Sequence, residues 1–146
     1  MQKFRLQLVK ENQEEYEDRK YITSSVTAGK IFDEIFELSN QCEEVFVMVA
    51  LSTKNEVIGS FEVSRGGINS SIIDMRSIMK RLLLANASRF MVAHNHPSGD
   101  TTPSPQDKLM TEKMRDAGKL LNMDLLDHII IGDDHLSLRS EYPELF

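Results

Sequence analysis

The order in which apolar runs and helical patterns follow one another limits the fold of this chain more than any other feature. Two β-rich runs within residues 45–63 flank a polar turn at 53–55 and predict a hairpin. Further runs of strand length are found at 89–94, 125–131 and 135–138. With an N-terminal strand and three helices, the predicted order is βαββαβαββ. This order indicates an α/β (α+β) domain in which helices pack against a mixed sheet.

Two amphipathic helices are predicted ahead of residue 89. The first follows Ser24 or Ser25, either of which is available as its N-cap, and its pattern ends near residues 39–40. The second follows Asp74, another candidate N-cap, and ends near residues 86–87.

Length and composition are those of one globular domain. The chain has 146 residues, of which 40% are apolar and 27% are charged, and a second domain would leave neither half with a proper core. Polar and apolar residues alternate over residues 3–8, whereas residues 10–20 are mostly charged. We therefore expect residues 1–22 to form an N-terminal strand and a charged arm, and residues 23–146 to form the domain.

Charge and cysteine content exclude several classes of protein. A net charge of −6 argues against a domain that holds nucleic acid through phosphate contacts alone. A single cysteine, Cys42, cannot form an internal disulfide, so a cytoplasmic location is expected. No apolar run approaches the roughly 20 residues of a membrane span, and the first residues lack the apolar core of a secretory signal. The chemistry therefore has to come from a local motif.

Two histidines stand at the end of the predicted strand at 89–94. His94 and His96 are two residues apart, and residues so spaced on an extended backbone point to one face, roughly 6.5–7 Å from each other. Their imidazoles can therefore converge on one metal ion, and zinc suits this ligand best. Asn95 is expected to point to the opposite face and to tie a loop. A lone histidine would more often be a hydrogen-bonded core residue, so it is the pair that favours a metal site.

A third candidate ligand follows a loop rich in glycine and proline. Seven residues separate His96 from Ser104, and Asp107 falls in the first turn of a predicted helix. The segment from Ser104 to Asp107 also fits a capping box, with Pro105 at the favoured first helical position. Asp107 is thus a candidate both for a helix cap and for a metal. Two nitrogens, one carboxylate and an open fourth position are the requirements of a hydrolytic zinc site.

Taken together, these residues resemble a known motif. The segment HNHP at residues 94–97, followed by Ser104 and Asp107, is similar to the JAMM motif of JAB/MPN-domain metalloproteases, in the form found in the RadC-like branch. The resemblance extends over about residues 23–138, and includes the hairpin and the segment LLDHIIIGDD. It implies a JAB/MPN (cytidine deaminase-like) fold for residues 23–146.

The resemblance also implies an activity and a set of site residues. It implies a zinc-dependent metallohydrolase, a peptidase or isopeptidase, whose zinc-activated water attacks an amide carbonyl. The implied zinc ligands are His94, His96 and Asp107. Ser104 would steady the tetrahedral intermediate.

The family uses a glutamate from an earlier strand as the general base. Glu44 is the predicted base, because it holds the position that RadC-like chains fill two residues before the phenylalanine of that strand, here Phe46. Neighbouring residues on a strand point to opposite faces, so Glu43 and Glu44 cannot both face the metal. Glu43 and, on the hairpin, Glu62 stay as alternatives.

Two other functions stay open. A non-catalytic, partner-binding module on the same scaffold would be favoured if all three glutamates pointed away from the histidines. The family name reflects an old link to DNA repair. The acidic charge, and the lack of a segment like the helix-hairpin-helix region of longer RadC-like proteins, predict no tight nucleic-acid binding. We expect a peptide or isopeptide substrate and no membrane association, with the substrate's identity and the oligomeric state open.

Asp127 and His128 lie on the predicted strand at 125–131. We interpret them as a hydrogen-bonded polar pair that braces the sheet, with a link from His128 to a zinc-binding histidine as the alternative. His135 is expected at the surface, and Cys42 has no histidine partner in a recognisable pattern.

Overall fold

The fold is described by a computed structural model over residues 2–3, 21–66 and 73–146. Within these residues the strands are β1 (Val45–Leu51), β2 (Val57–Arg65), β3 (Arg89–Asn95), β4 (Asp124–Ile131) and β5 (His135–Ser137). They form one sheet in the order β2-β1-β3-β4-β5, in which β3 and β4 are parallel and the other neighbours are antiparallel. The predicted mixed sheet is confirmed. Nearly all of the predicted strand at 3–8, and the whole arm at 10–20, lie outside the described residues.

Four α-helices are found in the described ranges: α1 (Ser25–Phe36), α2 (Met75–Leu84), α3 (Pro105–Leu120) and α4 (Leu138–Glu141). As expected, the side chains of Ser24 and Asp74 accept a backbone N–H in the first turns of α1 and α2. Helix α4 is not predicted by the sequence pattern: Leu138, expected in the last strand, instead opens this helix behind Ser137 as its N-cap. None of the helices in these ranges is both long and apolar enough to cross a membrane.

Helix α1 ends earlier than its apolar pattern predicts. Glu37 adopts the left-handed conformation, with a φ of 51°, and its N–H donates to the carbonyl of Asp33 at 2.7 Å. The carboxylate of Asp33 then accepts the N–H and the hydroxyl of Ser39, at 2.7 and 2.8 Å. These bonds hold a separate 3₁₀ turn at Leu38–Asn40, which carries the last apolar residue of the pattern.

The sheet separates two layers of helices. Strand β1 is buried along its whole length, so both of its faces contact apolar side chains. Val47 lies in a cluster with Phe32 of α1, whereas Met48 lies in a second cluster with Leu82 of α2 and Met114 of α3. Helix α1 therefore covers one face of the sheet, and α2 and α3 cover the other.

A β-bulge in β4 decides which of its side chains face α3. The pairing of β3 with β4 skips Leu126, so Leu125 and His128 lie on the same face although they are three residues apart. Regular alternation from Leu125 would have placed Asp127 there instead. The bulge therefore turns His128 towards α2 and α3.

Candidate metal centre

Three side chains converge at the C-terminal end of β3. His94 Nε2 lies 2.9 Å from His96 Nε2 and 3.3 Å from Asp107 Oδ1. His96 Nε2 lies 3.6 Å from Asp107 Oδ2. His94 and Asp107 are buried, and His96 is half-buried on the open side of the group. Because their ligand atoms all lie within 4.8 Å of one another, these three residues form a group that can hold a metal ion.

Strand alternation separates Asn95 from the two histidines. On the opposite face, Asn95 Oδ1 accepts the N–H of Val45 at 2.8 Å, and Asn95 Nδ2 donates to the carbonyl of Glu43 at 3.1 Å. The prediction that Asn95 points away from the histidines and ties a loop is confirmed.

His96 is oriented by the backbone of the loop that follows it. Its Nδ1 lies 2.6 Å from the carbonyl oxygen of Asp100. A carbonyl can only accept, so Nδ1 carries the proton, and Nε2 of the neutral ring bears a lone pair. The Gly99 carbonyl in this loop accepts the N–H of Asp133 at 2.9 Å. Gly132 packs so closely that a Cβ there would lie 2.3 Å from the same carbonyl oxygen.

Asp107 caps its helix and faces the histidines at the same time. Its Oδ2 accepts the N–H and the hydroxyl of Ser104, at 2.7 and 2.8 Å, and its own N–H donates to Ser104 Oγ at 3.1 Å. This is the predicted capping box. Oδ1 is the oxygen next to His94. The two interpretations of Asp107 are therefore compatible, because each uses a different oxygen, while the Ser104 hydroxyl is engaged in the cap.

His128 contacts one of the three candidate ligands directly. His94 Nδ1 lies 2.8 Å from His128 Nε2, and His128 Nδ1 lies 2.7 Å from Thr111 Oγ1. The bracing role suggested by the sequence is filled by the carboxylate of Asp127, which accepts the backbone N–H groups of His128 and Arg139 at 2.7 and 3.0 Å. For the ring of His128, the bracing interpretation is wrong and the alternative, a link to a candidate ligand, is what the structure has.

Thr111 escaped the sequence analysis altogether. It is a fully buried threonine one helical turn after Asp107 on α3. A polar β-branched residue at that spacing on an otherwise apolar helix face is the signal that could have identified it.

Burial sets the protonation of the inner side chains. Burial lowers the pKa of His94 well below its ordinary value and lowers the pKa of His128 to about 4, so both rings are neutral at pH 7. Burial alone would raise the pKa of Asp107, but its contacts with His96, His94 and Ser104 lower it. An ionised carboxylate and imidazole lone pairs facing one point are a donor set that fits a divalent cation.

Of the three candidate glutamates, Glu43 and Glu62 contact the same arginine. Glu43 Oε1 lies 3.6 Å from Arg65 Nη1, and Glu62 accepts two hydrogen bonds from Arg65, at 3.0 and 2.8 Å. Glu44 differs from them, because its charge, after the larger effect of a hydrogen bond that the protonated His96 ring donates to Asp107, helps to raise the pKa of His96.

The backbone places Glu44 on the face of β1 that carries Phe46. Its carbonyl accepts the N–H of Gly66 at 2.8 Å, so the pairing of β1 with β2 already extends to this residue. Alternate residues of a strand share a face, which places Glu44 on the side of Phe46. The Phe46 ring stacks on His94, with ring centroids 6.2 Å apart.

Comparison with known proteins places this chain in a family. A sequence model described as the RadC-like JAB domain matches residues 22–142. The chain belongs to the RadC-like JAB family. The predicted family is thereby confirmed, and the mixed sheet with flanking helices is consistent with a JAB domain.

Several relatives of this RadC-like chain carry the name UPF0758 protein. It is 44% identical over 105 residues to a UPF0758 protein of Methanosarcina acetivorans, which covers 71% of this chain and 46% of that relative. It is 36% identical over 131 residues to a UPF0758 protein of Enterococcus faecalis, which covers 84% of this chain and 56% of that relative. The RadC-like chain thus spans about half the length of the curated relatives it matches.

Proposed function

We propose that this RadC-like JAB domain is a zinc-dependent metallohydrolase that cleaves peptide or isopeptide bonds. The observation that carries the proposal is the convergence of His94 Nε2, His96 Nε2 and Asp107 Oδ1. Two imidazoles and one carboxylate, with a further position for water or substrate, are the ligand set of catalytic zinc sites. Since His96 is the least buried of the three, solvent and substrate would approach from its side.

The chain's own residues would supply the proton transfers. Bound zinc would act as a Lewis acid and lower the pKa of a water molecule to about 7. The Glu44 carboxylate would take the proton of the attacking water and deliver it to the leaving nitrogen. The Ser104 hydroxyl would donate a hydrogen bond to the developing oxyanion. To do so, the hydroxyl has to turn away from Asp107 Oδ2. The Ser104 backbone N–H would still donate a hydrogen bond to Asp107 Oδ2.

A non-catalytic module on the same scaffold is the alternative. It predicts that all three candidate glutamates lie away from the histidines. Glu43 and Glu62 do contact Arg65, but Glu44 shares a strand face with Phe46, whose ring stacks on His94, which favours the hydrolase. For nucleic acid, a net charge of −6 supports the expectation of no tight binding, which a gel shift at moderate salt tests.

Metal content is the first test. The full chain, purified without chelator and reconstituted with Zn²⁺, should hold zinc in an equimolar amount by elemental analysis. His96→Ala should hold none. His135→Ala is the matched control, because His135 is exposed and packs against Gly29, away from the group. Full zinc content in His96→Ala, or a zinc-free wild type, would contradict the proposed site.

Hydrolysis is the second test. The zinc-loaded wild type is assayed on a library of fluorogenic peptides and lysine-linked isopeptides. Glu44→Gln should keep its zinc and lose about 10²–10⁴-fold in rate, as expected when a general base is removed. Glu43→Gln and Glu62→Gln should cleave at close to the wild-type rate. A zinc-loaded wild type that cleaves nothing in the library would favour the non-catalytic module.

A further inference from the structure

The second buried histidine suggests how the first is prepared for a metal. We propose that Thr111 and His128 are positioning residues that fix the tautomer of His94, so that its Nδ1 carries the proton and its Nε2 presents a lone pair to the metal. This inference rests on the proposed metal site, but not on hydrolysis.

The direction of the hydrogen bonds starts at Thr111. Its hydroxyl donates to the carbonyl of Asp107 at 2.7 Å, and the same oxygen lies 2.7 Å from His128 Nδ1. A hydroxyl has one hydrogen, which the Asp107 carbonyl takes because a carbonyl can only accept. Thr111 must therefore accept from His128, and Nδ1 of His128 carries a proton.

The next step passes through His128 to His94. The His128 ring is fully buried, and its hydrogen-bonding partners among the described residues are Thr111 and His94. Because neither partner is a carboxylate that would stabilise a positive charge, the ring is neutral. In the neutral ring, protonation at Nδ1 leaves Nε2 as an acceptor. His94 Nδ1, 2.8 Å away, must then donate, and His94 Nε2 is left with its lone pair.

Packing keeps other partners away from these bonds. The Phe46 ring stacks on His94 and meets His128 edge-on, with centroids 6.2 and 5.7 Å apart. This series of hydrogen bonds from Asp107 through Thr111 and His128 to His94, which we call the relay, begins and ends on one residue. The backbone carbonyl of Asp107 accepts from the Thr111 hydroxyl, and the Asp107 Oδ1 atom lies 3.3 Å from His94 Nε2. One helical turn thus supplies a candidate ligand and orients another.

The tautomers can be read directly by ¹⁵N NMR of the histidine rings in the metal-free full chain. In the wild type, His94 should show a protonated Nδ1 and an unprotonated Nε2. A wild-type His94 protonated at Nε2 overturns the proposal without any variant.

Thr111→Val tests the relay, since valine keeps the shape and removes the acceptor. His128 can then carry its proton on Nε2, which pushes the proton of His94 to Nε2 and blocks its lone pair. We expect a mixed His94 tautomer and a Zn²⁺ affinity about 10–100-fold lower in a chelator competition, the range for residues that orient metal ligands. His128→Phe should behave alike. Thr111→Ser restores the hydroxyl and should restore both readouts.

Thr27→Val is the matched control, a helical threonine on α1 at the other face of the sheet, and it should leave both readouts unchanged. Wild-type tautomer and affinity in Thr111→Val would overturn the inference while leaving the proposed hydrolase intact. A wild type that binds zinc with the expected tautomer but hydrolyses nothing would refute the proposed hydrolase alone.

Discussion

The two histidines of the candidate metal centre are held in opposite ways. His94 is fully buried, and its Nδ1 contacts a side chain, that of His128. His96 is half-buried, and its Nδ1 contacts a backbone carbonyl, that of Asp100. A side-chain partner depends on which residues are present, whereas a carbonyl depends only on the path of the backbone. We call each histidine with the partner of its Nδ1 the His94 side and the His96 side of the centre. Changes in side-chain chemistry should therefore disturb the His94 side, and changes in loop geometry should disturb the His96 side.

Asp107→Asn should have the largest effect, because Asp107 belongs to both sides. The substitution removes the negative charge and directs an amide N–H₂ at one of the imidazole lone pairs. We expect Zn²⁺ affinity to fall by more than the roughly 10–100-fold typical of changes outside the ligand set. Asp116→Asn is the control on the same helix, since Asp116 is exposed and contacts Arg115. Wild-type affinity in Asp107→Asn would exclude this carboxylate as a ligand.

Acid should act on the two sides with opposite sign in the metal-free protein. The pKa of His128 is about 4 when folded and close to 6.5 when unfolded, so between these values only the unfolded chain binds the proton. The free energy of unfolding therefore falls as the pH falls from 6.5 to 4, by up to roughly 3 kcal/mol. The lowered pKa of His94 acts in the same direction. The raised pKa of His96 gives a contribution that is present below pH 6.5 and lost as the pH rises through its folded value.

Urea unfolding in the presence of a chelator, from pH 4.5 to 7.5, measures this balance. His128→Phe should flatten the decline on the acidic side, and His135→Phe, at the surface, should not. If the decline is as steep without His128 as with it, His128 does not control the acid sensitivity of the fold.

Gly132→Ala should disturb the His96 side alone. A Cβ at this position would lie 2.3 Å from the carbonyl oxygen of Gly99, so the loop that orients His96 has to move. We expect a loss of about 1–3 kcal/mol in the free energy of unfolding, as for other overpacked sites. The ¹⁵N signals of His96 should change and those of His94 should not. In the control Gly59→Ala, the Cβ would meet the Phe61 ring at 3.5 Å, an ordinary contact.

Sequence-based prediction succeeded where one local rule decides the structure. The caps at Ser24, Asp74 and Ser104 follow from side chains that satisfy the first N–H groups of a helix. The shared face of His94 and His96 follows from strand alternation alone. Over the described residues, the order of strands and helices from α1 to β5 was predicted correctly, whereas α4 was not predicted.

The features that escaped prediction depend on backbone departures from regular geometry. The bulge at Leu126 shifts the alternation of β4 and turns His128 to the face of α2 and α3, and regular alternation along the strand does not predict this. Glu37 ends α1 in a left-handed conformation. A glycine at this position would have predicted that conformation, whereas a glutamate does not. The partner of His96 is a backbone carbonyl, which every residue has, so no residue type in the sequence predicts this contact.

Ser104→Ala should have the smallest effect on stability, and it separates the two roles assigned to Ser104. Loss of the capping hydroxyl should lower the free energy of unfolding by about 1 kcal/mol. Asp107 Oδ2 would keep its bond to the backbone N–H of position 104 at 2.7 Å, so the carboxylate should still bind zinc. If the hydroxyl also stabilises the oxyanion, kcat should fall by about 10²–10³-fold with KM unchanged.

Ser24→Ala is the matched control for Ser104→Ala, because Ser24 caps α1 in the same way, accepting the Thr27 N–H at 3.1 Å on the opposite side of the sheet. The two variants should lose similar stability, and only Ser104→Ala should lose turnover. Equal losses of stability with unchanged turnover in both would restrict Ser104 to the helix cap. Its effect on the site would then be to hold the Asp107 oxygen that lies 3.6 Å from His96.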